Sequence, residues 1–142
     1  MEKEFDSYHF RVNIPVDAAI AKLRAAVAAF PMGLVAHIDG QANCARMGIE
    51  VPADQILEIF RPDFAIRVWK ADKHAGLDIP IRIYVYELDG KTHVVCRLPS
   101  RVFAPYANVE LDSIGRELDA IFMQLLAVLE TDKERPIQGR PQ

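Results

Sequence analysis

Cysteine is scarce in this 142-residue chain, which holds only Cys44 and Cys96. The two lie far apart and show no C-x-x-C spacing, so neither a metal ribbon nor a thioredoxin-like redox pair is expected. Cys96 reads instead as a core residue and Cys44 as a helix residue. Histidine is thin as well. His9, His37, His74 and His93 show no H-x-H or H-x-x-x-H spacing, and tetrahedral zinc needs three or four converging ligands, so no metal is expected. The seven glycines are scattered without a G-x-G-x-x-G or Walker pattern, which removes the common backbone cradles for nucleotide phosphates. Ser7, Ser100 and Ser113 stand in no G-x-S-x-G context, and neither cysteine has a histidine close in sequence. No cofactor is implied. No stretch approaches the roughly eighteen apolar residues that mark a membrane span, and Met1 to Asp6 is charged where a signal peptide is apolar. The expectation is a cytoplasmic protein with no membrane partner. A net charge of −3 lacks the basic excess that nucleic acid calls for, so nucleic acid is not an expected partner.

What is present is an ordinary globular balance, 51% hydrophobic and 26% charged. A chain of this size buries roughly 68–70% of its unfolded surface, enough for one domain with a core of its own. The strongest local signal is Asp89-Gly90 between two alternating apolar runs. A two-residue primed turn needs positive φ, which glycine adopts at little cost, so a hairpin of strands over 81–87 and 92–98 is predicted. Alternation puts Ile81, Ile83 and Val85 on one face and Arg82, Tyr84 and Tyr86 on the other. On the return strand Val94, Cys96 and Leu98 oppose His93, Val95 and Arg97.

Elsewhere, Tyr8, Phe10, Val12 and Ile14 alternate with polar residues and predict a strand over 7–14. Asp17 favours a helix start, and Ile20, Leu23, Val27 and Phe30 then recur at helical spacing until Pro31. Strict alternation over 34–39 predicts a second strand, with Val35, His37 and Asp39 on its polar side. A short helix over 41–47 closes at Gly48. A strand over 55–60 carries apolar residues on both parities, and 61–75, broken by Pro62, reads as a loop with a helical turn. After a proline-containing loop over 99–107, a helix over 108–130 carries a wide apolar stripe from Leu111 to Leu129. The simplest assembly is an α+β two-layer sandwich: a mostly antiparallel five-stranded sheet with helices packed on one face. One domain over 7–130 is expected between a flexible amino terminus, 1–6, and a flexible tail, 131–142.

The uncovered sheet face is then where function would sit. By parity it collects His9, Arg11 and Asn13, then Val35, His37 and Asp39, then Arg82, Tyr84 and Tyr86, then His93, Val95 and Arg97. Arginine offers forked donors and tyrosine amphipathic contact area, so an anionic or aromatic small molecule is one occupant of such a face. The same residue types are enriched at interfaces, so a homodimer contact is the other. The leading expectation is a non-enzymatic homodimer that binds a small molecule or a partner protein there. The ligand candidates are His9, Arg11, His37, Arg82, Tyr84, Tyr86, His93, Arg97 and Trp69. The rival reading is an enzyme of unknown reaction with His37, Asp39 and His93 around a pocket closed by the 61–75 segment. Asp78, the one carboxylate in a defined motif, reads as a turn residue rather than a base.

Several short motifs carry a resemblance. Val16-Asp17-Ala18-Ala19-Ile20-Ala21-Lys22-Leu23, His37-Ile38-Asp39, Ala45-Arg46-Met47-Gly48-Ile49, Ile59-Phe60, Gly76-Leu77-Asp78-Ile79-Pro80, Val85-Tyr86-Glu87 and Asp89-Gly90-Lys91 follow one another in the chain. In order and spacing they resemble domain-of-unknown-function family 302 over about Tyr8 to Leu129. The resemblance implies a TATA-binding-protein-like α+β sandwich, often a homodimer, with no established activity. Two places depart from the pattern: Phe60-Arg61-Pro62 is one residue shorter than the family's Phe-Gly-Asn-Pro, and Trp69 stands where Met or Leu is common. If that loop shapes a pocket, the pocket of this chain differs.

Overall fold

The computed structural model describes residues 7–134. Five strands, β1 (Tyr8–Val12), β2 (Gly33–Asp39), β3 (Asp54–Phe60), β4 (Ile81–Leu88) and β5 (Lys91–Cys96), form one sheet in the order β1-β5-β4-β3-β2. Every neighbouring pair is antiparallel. The helices α1 (Val16–Ala29), α2 (Gly40–Ala45), α3 (Pro62–Ala71), α4 (Pro99–Phe103) and α5 (Val109–Ala127) complete the expected α+β sandwich.

Local chemistry accounts for the main elements. Asp89 and Gly90 both take positive φ, 52° and 75°, which closes the β4–β5 hairpin in two residues. Asn108 caps α5, its side-chain oxygen accepting from the Leu111 amide at 3.0 Å. The α5 stripe, from Leu111 through Leu118 and Phe122 to Leu126, is buried with α1's Leu23 over the inward row of Leu57, Ile83, Val85 and Val94. At Gly115 the helices α4 and α5 meet backbone to backbone: a Cβ there would lie 2.7 Å from the Ser100 Cα. Burial pushes the Cys96 thiol up to about 12, as a core cysteine should be, and Cys44 sits half-buried on α2.

The segments expected as loops at 61–75 and 99–107 are helical for much of their length. Both helices have proline in the first turn, where its missing N–H costs nothing and its fixed φ favours the helix. Residues 131–134, placed with the flexible tail by composition, run beside β1. Val12 bridges Lys133, the Asn13 amide donates to the Asp132 carbonyl at 2.8 Å, and the Glu134 amide donates to the Arg11 carbonyl at 2.9 Å. The Lys133 ammonium sits over the Phe10 ring at 4.7 Å and reaches the Tyr8 hydroxyl at 2.9 Å. The expected flexible stretches 1–6 and 135–142 lie outside the described residues.

One irregularity decides which face several candidates occupy. Leu34 pairs with Ile59, but Ala36 pairs with Glu58, so Val35 is an extra residue bulged out of β2. Beyond it every side chain of β2 changes side. His37 pairs with Leu57 and Asp39 with Gln55, both on the helix-covered face. The expectation that His37 and Asp39 share the uncovered face is therefore overturned: strict alternation passed straight through a bulge.

Candidate binding site on the open sheet face

Register orders the uncovered face into rows. Ile38, Ile56, Tyr84, Val95 and His9 are successive cross-strand partners and make a central row over all five strands. Asp54, Tyr86, His93 and Arg11 form the next row, and Ala36, Glu58 and Arg82 the row on the other side, with Arg97 just past the end of β5. Four rings follow one another along the face, three of them stacked and Tyr84 tilted by 31° against Tyr86. Tyr86 and His93 are nearly parallel at 5.0 Å between centroids, His93 and His9 lie 5.1 Å apart, and Tyr84 and Tyr86 lie 4.8 Å apart. His9 Nε2 and His93 Nδ1 share a hydrogen bond of 2.9 Å.

A groove of about 740 Å³ runs over three of these rings, His9, Tyr84 and Tyr86. Its floor is His9, Arg82, Tyr84, Tyr86, Val95 and Arg97, and Leu77, Asp78 and Pro80 of the 76–80 strap line it together with Val102 of α4. The strap is held in place. The Tyr106 hydroxyl donates to the Asp78 carboxylate, which with burial pushes the Tyr106 phenol up to about 12. Asp78 thus ties the 76–80 segment to Tyr106, a long-range contact rather than the local turn bond expected of it.

Charge is unevenly spent on this face. Arg82 Nε meets Glu58 at 3.2 Å and Arg11 Nε meets Glu134 at 3.0 Å, whereas the Arg97 side chain has no ion pair or hydrogen bond among the described residues. The Tyr84 hydroxyl donates to Asp54 at 2.5 Å; burial first, and then this bond, push its phenol up to about 12, so Tyr84 is a neutral donor at any ordinary pH. His93 is held below the usual histidine range, chiefly by burial and next by the neighbouring His9 and Arg11, with Glu134 and Asp89 opposing. It stacks in the ring series as a neutral imidazole.

The remaining candidates stand apart. His37 belongs to a polar relay between α1 and the inward side of the sheet: Arg24 donates to His37 Nδ1 at 2.8 Å, His37 Nε2 donates to Gln55 Oε1 at 2.6 Å, and Gln55 Nε2 donates to Asp17 at 2.7 Å. Since arginine only donates, the tautomer of His37 follows from its partners. Asp39 caps α2, accepting from the Ala42 amide at 2.9 Å. Trp69 lies on α3 beside a different cleft. Sequence reasoning missed Asp54, Leu77, Pro80 and Val102; the Pro80 and Leu77 rim had a signal in the Gly76-Leu77-Asp78-Ile79-Pro80 motif, while Asp54 and Val102 had none. Among the described residues no three His, Cys, Asp or Glu side chains are grouped to hold a metal ion, and no helix is long and apolar enough to cross a membrane.

With this geometry in view, the comparisons define the class. The model of the family described as domain of unknown function DUF302 matches residues 8–131, and the chain belongs to that family. Its fold is similar to that of a solved structure, an uncharacterized conserved protein DUF302 from Bacillus stearothermophilus, at a TM-score of 0.75 and 19% identity. The likeness covers 91% of this chain and 99% of that one, and at such identity it speaks for the fold alone. The comparison with curated proteins finds no match.

Proposed function

We propose that the chain is a cytoplasmic, non-enzymatic binding module whose open sheet face holds a planar, anionic small molecule in the groove over β4 and β5. The observation that carries this reading is Arg97, an exposed guanidinium without a partner among the described residues, at the end of a stacked series of rings. A groove of about 740 Å³ is within the range of about 300–1,000 Å³ typical of small-molecule sites. Tyr84 and Tyr86 offer ring faces to a planar body, and Arg97 offers forked donors to a carboxylate or phosphate. The enzyme reading loses its support, because His37 and Asp39 are committed to the relay and to the α2 cap on the other side of the sheet from His93. A second copy of the chain is the competing occupant of the same face, favoured by the apolar members of the central row, Ile38, Ile56 and Val95.

Native mass spectrometry of the protein purified from its own cells tests this. The expected result is a retained small-molecule mass, lost in Arg97→Ala and kept in His37→Ala. A dimer mass with nothing bound, turning to monomer in Arg82→Ala, overturns the small-molecule reading and makes the face an interface.

A further inference from the structure

A separate cleft of about 310 Å³ lies on the far side of the 76–80 strap and shares only Pro80 with the groove. Its walls are Val35, Phe60, Ala65, Trp69, Ile79 and Pro80. The one ionisable side chain in the lining, Arg61, is already committed: it meets Asp63 at 2.6 and 3.0 Å and donates to the Pro31 carbonyl at 3.0 Å. The cleft therefore offers no free charge to a ligand, in contrast to Arg97 in the groove.

Two features show a wall shaped for contact. The β2 bulge brings Val35 into the lining and leaves it 58% exposed, and bulges commonly re-aim side chains beside functional sites. Trp69, 44% exposed, carries the Lys73 ammonium 4.6 Å from its ring centroid. Its indole N–H has no hydrogen-bond partner among the described residues. The backbone at Gly76 passes so close that a Cβ would lie 3.2 Å from Trp69 Nε1, so any larger residue there would crowd the donor edge.

We infer that this cleft is a second binding site, for an uncharged aromatic small molecule with a hydrogen-bond acceptor for the Trp69 indole. The walls are apolar and Arg61 is already paired with Asp63, so nothing in the lining itself is left to hold an anion, and the volume at the lower end of ligand sites fits one or two fused rings. Offset or edge-on contact with Trp69 and Phe60 supplies most of the attraction.

Trp69 is the single tryptophan of the chain, so the site carries its own fluorophore. Titration with 6-propionyl-2-dimethylaminonaphthalene, a neutral two-ring probe with a carbonyl acceptor, is expected to give saturable, one-to-one energy transfer from Trp69. The anionic 1-anilinonaphthalene-8-sulfonate should bind at least tenfold more weakly. Val35→Asp, at an exposed position that tolerates charge, and Ala65→Val, which narrows the cleft from α3, should each weaken the neutral probe at least tenfold while circular dichroism stays unchanged. Arg97→Ala should leave it unaffected. Absence of saturable transfer in the wild type, transfer that both variants leave intact, or exclusion of the probe by self-association at rising protein concentration overturns the inference.

Discussion

The two faces of the sheet are built from the same strands, residue by residue in alternation, and they differ in what covers them. On β4, Ile81, Ile83 and Val85 are buried under the helices, while Arg82, Tyr84 and Tyr86 stand over the groove. The inward row is closed: apolar volume against apolar volume, with the Asp17–Gln55–His37–Arg24 relay as its polar inclusion. The outward row is open, with the Arg97 guanidinium unpartnered among the described residues and tyrosine rings lining the groove. Stability is concentrated on one face, which leaves the residues of the other less constrained by packing.

Substitutions sharpen this contrast. Phe122→Ala removes a fully buried ring of α5 and should cost about 3–5 kcal/mol, read from urea unfolding midpoints. Gly115→Ala forces a methyl toward the Ser100 backbone and should cost about 1–3 kcal/mol by the same measurement, from overpacking between α4 and α5. Gln55→Leu keeps the volume but leaves the His37 N–H and the Asp17 carboxylate without their partner, an expected loss of about 1–3 kcal/mol. Arg82→Ala on the open face should cost about 1 kcal/mol at most, since the Arg82 side chain is 69% exposed in its pair with Glu58. A cost for Arg82→Ala as large as that of Phe122→Ala would break the comparison, because it would mean that the open face is covered.

The smallest effect is a pH dependence. His93 takes up its proton less readily in the folded protein than in the unfolded chain, whose histidine titrates near 6.5. Its contribution is whole above that value, falls as the pH drops below it, and levels off once the folded form is protonated too. His93→Asn should flatten this part of the curve below about pH 6.5, as seen in unfolding midpoints.

Much of the architecture was legible because it rests on local rules. Asp89-Gly90 announced the hairpin, the stripe from Leu111 to Leu129 announced α5, and alternation assigned Arg82, Tyr84, Tyr86, His93 and Arg97 to the face they occupy. The failures share a different origin. Pro62 and Pro99 read as breakers, but a proline starts a helix as readily as it ends one, and only the following chain decides. Val35 gives no local sign of a bulge, so His37 and Asp39 were placed on the wrong side. Trp69 was grouped with the sheet residues although α3 carries it to another cleft.

The sequence by itself determined periodicity: which residues alternate, which recur every turn, and hence the α+β class and the oily face of the sheet. Only the tertiary structure decided the register at the β2 bulge, the docking of Lys133 and Glu134 beside β1, and the strap that divides groove from cleft. The physical reason is distance along the chain. A period is set by neighbouring residues, whereas a bulge or a shared wall depends on partners tens of residues away, whose meeting is known only once the chain is packed.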